Sequence, residues 1–136
     1  MYKRTITYTD YFGQERKEDV YFNLNRSELT KLQLSTQRGY VNMLQDLIDK
    51  NDGPTIMKTF DEIIRMAYGE KSEDGRRFIK SPELSEAFTQ TPMYDQLYME
   101  LCTDAKAAAE FVNNIIPQDL RDEASKQNVV TVARQN

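Results

Sequence analysis

The chain has 136 residues, of which 39% are apolar and 29% are charged, and its formal net charge is −4. This length corresponds to about one domain, with a core large enough to fold without a metal ion or a disulfide. The absence of histidine and the single cysteine, Cys102, exclude a Ser-His-Asp or Cys-His catalytic group and any internal disulfide.

The charge balance and hydropathy indicate where the protein acts. Acidic residues outnumber basic ones by 22 to 18, whereas a nucleic-acid-binding domain carries a basic excess. No stretch approaches the roughly 18 apolar residues of a membrane span, and the first residues do not form an apolar leader. We therefore expect a cytosolic protein that binds neither nucleic acid nor a membrane.

The first 24 residues predict a β-hairpin. Residues 4–11 alternate apolar or aromatic side chains with polar ones, and residues 15–24 end in a β-branched and aromatic run. An isolated hairpin is marginal in water, so one face must pack on helices or on a partner subunit. Its edges can pair between copies, and deleting residues 1–23 is then expected to abolish self-association and leave a soluble helical fragment. The candidate self-association residues are Ile6, Tyr8, Tyr21 and Phe22.

Five or six short helices are predicted in residues 25–117. Asn25 or Ser27 can cap the first of them. The second begins after Gly39, and the second and third both have apolar side chains at the spacing of an amphipathic helix. Gly69 is expected to act as the C-terminal stop of the third helix.

The second half of the chain continues with a break and three more helices. Residues 70–80 are charged and lack a helical stripe, which predicts a surface loop or a small hairpin. Helices are predicted at 81–88, 92–103 and 105–116, and Pro117 ends the last one. The fold class is therefore α+β, an N-terminal β-hairpin followed by a mainly α-helical bundle.

The last residues have a different composition from the rest. Residues 118–136 are polar and too weakly apolar to supply a core element. We expect a single domain at 1–117, with the hairpin at 1–24 and the helical part at 25–117. The segment 118–136 is expected to be a flexible C-terminal tail.

No motif for catalysis or for cofactor binding is present. The five glycines are isolated, which excludes a P-loop and a GxGxxG fingerprint. Asp95, Glu100, Asp104 and Glu110 are spaced so that they cannot share one helical face, so they do not predict a metal site or an acid-base pair. We expect neither an enzyme nor a bound cofactor or metal ion.

The charge pattern of the later helices favours a protein-binding surface. Between residues 81 and 116, one basic residue stands against six acidic ones. An acidic surface with methionine and tyrosine suits a basic, apolar helix of a partner, because these side chains adapt to varied surfaces. The same apolar stripe is also expected of a helix packed in the core. The candidate groove residues are Met93, Tyr94, Leu97, Tyr98 and Leu101.

Five strings occur in order along residues 5–117. They are TITYTDY (5–11), VYFNL (20–24), YGEKSEDGRRFIKS (68–81), LSEAFTQT (84–91) and FVNNIIP (111–117). Together they resemble the tail assembly chaperones of long-tailed, siphovirus-type phages of Gram-positive bacteria. No catalytic motif defines this family, so the resemblance implies no active-site residue.

The resemblance implies a non-enzymatic protein of the host bacterial cytoplasm. Such a protein would coat the tape measure protein in several copies, keep it soluble, help recruit tail tube subunits, and be absent from the finished virion. Two alternatives stay open. A connector subunit of the phage particle would form a stable ring found in purified particles, and a small regulatory adaptor would bind one folded partner in a fixed ratio.

Overall fold

The structure, a computed structural model, describes residues 1–117. Four antiparallel strands form one sheet in the order β1-β2-β3-β4, namely β1 (Tyr2–Thr9), β2 (Glu15–Phe22), β3 (Tyr68–Lys71) and β4 (Phe78–Ile79). The helices in this part of the chain are α1 (Arg26–Ser35), α2 (Tyr40–Lys50), α3 (Gly53–Ala67), α4 (Pro82–Thr89), α5 (Pro92–Thr103) and α6 (Ala105–Ile115). The predicted α+β class, a hairpin followed by five or six helices, is confirmed over residues 1–117, where six helices are observed.

The first hairpin packs on the helices through one face. β1 and β2 pair without a break, from Tyr2 opposite Phe22 to Thr9 opposite Glu15. Alternate side chains point to the helices and are buried, because successive residues of a strand point to opposite faces. These are Ile6, Tyr8, Val20 and Phe22. A fragment lacking residues 1–23 would lose this part of the core, so the structure argues against the expected soluble helical fragment.

The turn of this hairpin is held by one aspartate. The Asp10 carboxylate accepts hydrogen bonds of 2.9 Å from the backbone N–H groups of Phe12 and Gln14, and Gly13 takes a φ of 85°. Because the turn begins at Asp10, β1 ends at Thr9. Tyr11, predicted in the strand, lies in the turn.

A second hairpin widens the sheet. β3 pairs with β2 at Gly69 opposite Tyr21, and β4 pairs with β3 at Ile79 opposite Glu70. Of the two structures predicted for residues 70–80, the small hairpin is the one that forms. The sequence did not predict that it would join the first hairpin.

Gly69 has a different role from the predicted helix stop. α3 ends at Ala67, and Gly69 does not take the positive φ of a glycine C-cap. A Cβ at Gly69 would lie 2.6 Å from the Phe78 ring and 2.8 Å from the carbonyl oxygen of Ile79. The prediction of a C-cap was wrong, because glycine is needed here for the close packing of β3 on β4.

Four of the six helices in residues 1–117 begin at a side-chain cap that the sequence supplies. Asn25, the first of the two predicted candidates, forms a capping box with Glu28 at the start of α1. Side-chain oxygens of Ser81, Thr91 and Asp104 accept from backbone N–H groups in the first turns of α4, α5 and α6. Local sequence therefore determines these boundaries.

A cluster of aromatic rings joins the sheet to the helices. Phe22 is fully buried, and its ring centroid lies between 5.5 and 6.2 Å from four other rings. These belong to Tyr2 of β1, Tyr68 of β3, Phe88 of α4 and Phe111 of α6. One side chain of β2 thus contacts four other elements.

The side chain of Lys80 joins three separate segments of the chain. The Lys80 ammonium donates to the carbonyl oxygens of Asn23 (2.9 Å) and Met66 (3.2 Å) and to the Glu28 carboxylate (2.7 Å). The Lys80 side chain is only 20% exposed. It therefore holds the segment after β2, the start of α1 and the end of α3 in one place.

Two further predictions concern the C-terminal tail and the absence of a membrane-spanning helix. The predicted tail, residues 118–136, lies outside the described residues. Within residues 1–117, none of the helices has the length and apolar character needed to cross a membrane.

Candidate protein-binding surface

The five candidate groove residues on α5 fall into two sets. Met93, Leu97 and Leu101 are 6%, 1% and 1% exposed, so they belong to the core. Tyr94 and Tyr98 are half-buried. The structure therefore brings only the two tyrosines of this set to the surface.

Both tyrosines are fixed against α3 by their hydroxyl groups. Tyr94 donates to the Asp61 carboxylate, and Tyr98 donates to the Met57 carbonyl oxygen at 2.7 Å. The two rings stack with centroids 5.2 Å apart. Burial raises the pKa of Tyr98 to about 12, and burial together with the Asp61 carboxylate raises the pKa of Tyr94. Both hydroxyls are therefore protonated donors at neutral pH.

Two exposed methionines lie on the two helices that these tyrosines join. Met57 on α3 is 43% exposed, and Met99, which follows Tyr98 on α5, is 46% exposed. We call Met57, Tyr94, Tyr98 and Met99 the Met–Tyr surface. Met57 was not predicted as a site residue. It follows the apolar spacing of α3, and this spacing does not distinguish an exposed apolar residue from a buried one.

A cavity of mixed polar and apolar lining lies beside Tyr98. Cys102 lies one turn after Tyr98 and lines a cavity of about 470 Å³ between α2, α3, α5 and α6. Its lining combines the buried apolar side chains of Ile56, Phe60 and Leu101 with the polar residues Asp49, Asn51 and Thr103. An apolar cavity of about 150 Å³ is enough to hold a benzene ring. A large apolar side chain of a partner therefore fits here.

The helices that form this surface are acidic. α3, α4 and α5 together carry six acidic and two basic residues. One of the basic residues, Arg65, is bound by Asp61 at 3.2 Å and by Glu86 at 2.8 Å. The resulting negative potential favours a basic partner. Within residues 1–117, no three His, Cys, Asp or Glu side chains are grouped so that they could hold a metal ion.

The four hairpin residues predicted for self-association lie on two faces. Ile6, Tyr8 and Phe22 are buried against the helices. Tyr21 is half-buried, and the Lys71 ammonium lies 4.2 Å from its ring centroid. A second copy could therefore meet the hairpin at the backbone edge of β1 but not at the three buried side chains.

A comparison with protein families assigns the chain. All of it, residues 1–136, matches the model of a family described as phage tail assembly chaperone. The chain belongs to this family. The resemblance seen in the sequence is thus confirmed at the level of the family, and a chaperone role in tail assembly follows from it. Searches of curated proteins and of solved structures found no match.

Family membership also indicates what kind of molecule this chaperone acts on. A tail assembly chaperone has protein partners in tail assembly, and its role does not call for catalysis. The exposed features described above are of the kind that bind protein, since methionine and tyrosine are enriched at such interfaces.

Proposed function

We propose that this chaperone binds the tape measure protein, keeps it soluble and helps recruit tail tube subunits. Membership of the tail assembly chaperone family is the observation that carries the proposal. The chaperone acts in the cytoplasm of an infected Gram-positive bacterium, during assembly of a long, siphovirus-type tail. It is released before the virion is complete.

The Met–Tyr surface is the proposed client site. Met57 and Met99 are exposed and flexible, so they can adapt to successive segments of a long helical client. The hydroxyls of Tyr94 and Tyr98 already have acceptors. The client can therefore cover these two rings without leaving a buried donor unpaired, which would cost about 1–3 kcal/mol each.

The client segment is expected to be an amphipathic helix with basic flanks. Its apolar face would lie along the Met–Tyr surface, and one large side chain would enter the cavity beside Cys102. The acidic residues of α3, α4 and α5 would attract lysine and arginine on its sides. Each contact is small, so several copies on one client must act together through avidity.

The test of this function is co-expression with the tape measure protein of the same phage. A client that is insoluble alone and soluble with several copies of the chaperone, counted by light scattering, supports the proposal. A client that stays insoluble, with the chaperone alone as a monomer or a closed ring, overturns it. A single copy on a folded partner would favour the adaptor, and recovery in purified particles would favour the connector.

The proposed site is tested separately by substitution. The double variant Met57→Ser, Met99→Ser should lower the number of copies bound, while Leu34→Ser, a change of an 84% exposed leucine on α1, should not. Equal binding by both variants would refute the Met–Tyr surface as the site without refuting the function.

Cys102 offers a test that needs no substitution. It is the only cysteine of the chain, and it is half-buried in the cavity. Burial raises the pKa of its thiol, so labelling is best done with iodoacetamide at mildly alkaline pH. A bound client should slow the labelling, and an unchanged rate in the complex would show that the cavity stays open.

A further inference from the structure

The outer edge of β1 is a regular strand edge. β1 is the first strand in the sheet order, and it pairs with β2 through all eight of its residues without a bulge. Natural proteins usually blunt such an edge with a proline, a bulge, a charged side chain such as lysine, or a covering segment. β1 contains no proline, and Lys3, Thr5, Thr7 and Thr9 along it are exposed. Lys3 and the Gln96 side chain, which bonds to Thr7, blunt parts of this edge, and the rest of it is a template for another strand.

The hydrogen-bond pattern shows which residues face outward. The Asp10 N–H donates to the Gln14 carbonyl oxygen at 2.8 Å. Since bonded and non-bonded pairs alternate along an antiparallel ladder, the even-numbered residues of β1 bond to β2. The odd-numbered residues therefore direct their N–H and C=O groups away from β2. The Gln96 side chain confirms this, because it donates to the Thr7 carbonyl oxygen at 3.2 Å.

Exposed apolar side chains mark the two ends of this edge. Met1, before β1, is 52% exposed, while Tyr11 and Phe12, after it, are 84% and 90% exposed. The turn that carries Tyr11 and Phe12 is fixed by Asp10, so they are presented in a defined position. Exposed aromatic side chains on a fixed turn are typical of a contact with another protein.

We propose that two copies of the chain pair antiparallel through the outer edges of β1, with Thr5 of each copy opposite Thr7 of the other. In this register, Thr9 lies opposite Lys3 of the second copy, and each such pair exchanges two backbone hydrogen bonds. Among the registers that pair odd-numbered residues, this one brings Met1 of each copy beside the turn of the other copy, which carries Tyr11. The exposed side chains at the two ends then cover each other.

Two-fold symmetry favours a second copy as the occupant. An antiparallel pairing of identical edges is self-complementary, so both copies make every contact. The Gln96 amide must leave Thr7, because the Thr5 N–H of the second copy takes its place. In the monomer, Gln96 occupies the Thr7 carbonyl oxygen, and breaking this hydrogen bond lowers the affinity of one copy for the other.

The proposal rests on the proposed function and adds how copies of the chain bind each other, and its test contains no client. The full chain is measured by sedimentation equilibrium. Wild type should dimerise, and Gln96→Ala should dimerise about three- to tenfold more tightly, as expected for releasing hydrogen bonds of modest strength. Thr7→Pro should be monomeric, because proline removes an outward N–H while leaving the β1–β2 ladder intact. Thr7→Val, which keeps that N–H, should dimerise like wild type.

Disulfide trapping tests the register even if the proline variant fails to fold. In a Cys102→Ala background, Thr5→Cys mixed with Thr7→Cys should cross-link, since hydrogen-bonded partners have Cα atoms about 5.5 Å apart, within disulfide reach. Thr5→Cys alone should cross-link much less. A monomeric wild type, a dimer lacking the mixed cross-link, or a dimer lost on removing residues 118–136 would each overturn the proposal. Client solubilisation by a monomer would leave the proposed function standing.

Discussion

Replacing Lys80 with methionine should destabilise the chaperone strongly, although Lys80 touches no proposed partner. The substitution keeps the apolar stem of the side chain and removes only the ammonium group. Three acceptors then lose their donor, namely the carbonyl oxygens of Asn23 and Met66 and the Glu28 carboxylate. A hydrogen bond from a charged donor contributes about 1.5–3 kcal/mol to the free energy of unfolding. Partial access of water to this site reduces the expected total loss to about 3 kcal/mol.

Urea unfolding followed by far-UV circular dichroism measures this loss. With a slope of about 1.5–2 kcal/mol per molar urea, the midpoint should fall by about 1.5–2 M. Lys58→Met is the matched control, since Lys58 is exposed on α3 and should change stability by less than about 0.5 kcal/mol. Equal midpoints for the two variants would refute the view that Lys80 ties α1, α3 and β2 together.

Three further predictions concern packing and pH. Gly69→Ala should lower the free energy of unfolding by about 1–3 kcal/mol, because its Cβ would meet the Phe78 ring, whereas Gly53→Ala, with no atom within 4 Å, should not lower it. Phe22→Ala should cost about 3–5 kcal/mol in thermal or urea unfolding, since its fully buried ring contacts four others; a loss below about 1 kcal/mol would contradict this packing. Burial, with a smaller effect from the charge of Glu62, raises the pKa of Tyr40 to about 12. The folded state then keeps the Tyr40 hydroxyl proton at a pH above the unfolded pKa of about 10. The contribution of Tyr40 to stability is therefore fully present below about pH 10 and is lost between about pH 10 and 12. Urea midpoints at about pH 9 and 11 should differ less in Tyr40→Phe than in wild type, and an equal difference would refute the assignment.

Local signals made most of the fold predictable. Ser81, Thr91 and Asp104 each supply a cap, and the proline after the first two is favoured in the first turn of a helix and excluded from its later turns. The pairing of the second hairpin with the first was not predictable, because β3 and β2 lie far apart in sequence. Gly69 shows the same difficulty. Its position after a helical stripe is typical of a C-cap, and only the tertiary packing of Phe78 reveals another reason for glycine.

The candidate site was predicted in part, for a related reason. A helical stripe such as Met93, Leu97 and Leu101 is the same whether it faces a core or a partner, and here it faces the core. Tyr94 and Tyr98 border that stripe, so they were identified together with it. Met57 was missed because its exposure depends on how α3 lies against α5. Sequence periodicity predicts the direction in which a side chain points from its own helix. It does not predict whether another element of the fold covers that side chain.

The two proposals support each other through symmetry. In a dimer paired through β1, the two-fold axis is perpendicular to the joined sheet, so the helices of both copies lie on the same face of it. Because the Met–Tyr surface is built on those helices, both client sites would lie on one side of the dimer. A long client could then bind both, and the second contact would form at an effective concentration in the millimolar range. Weak single contacts would suffice to hold the client, and each could still be displaced in turn as tube subunits arrive.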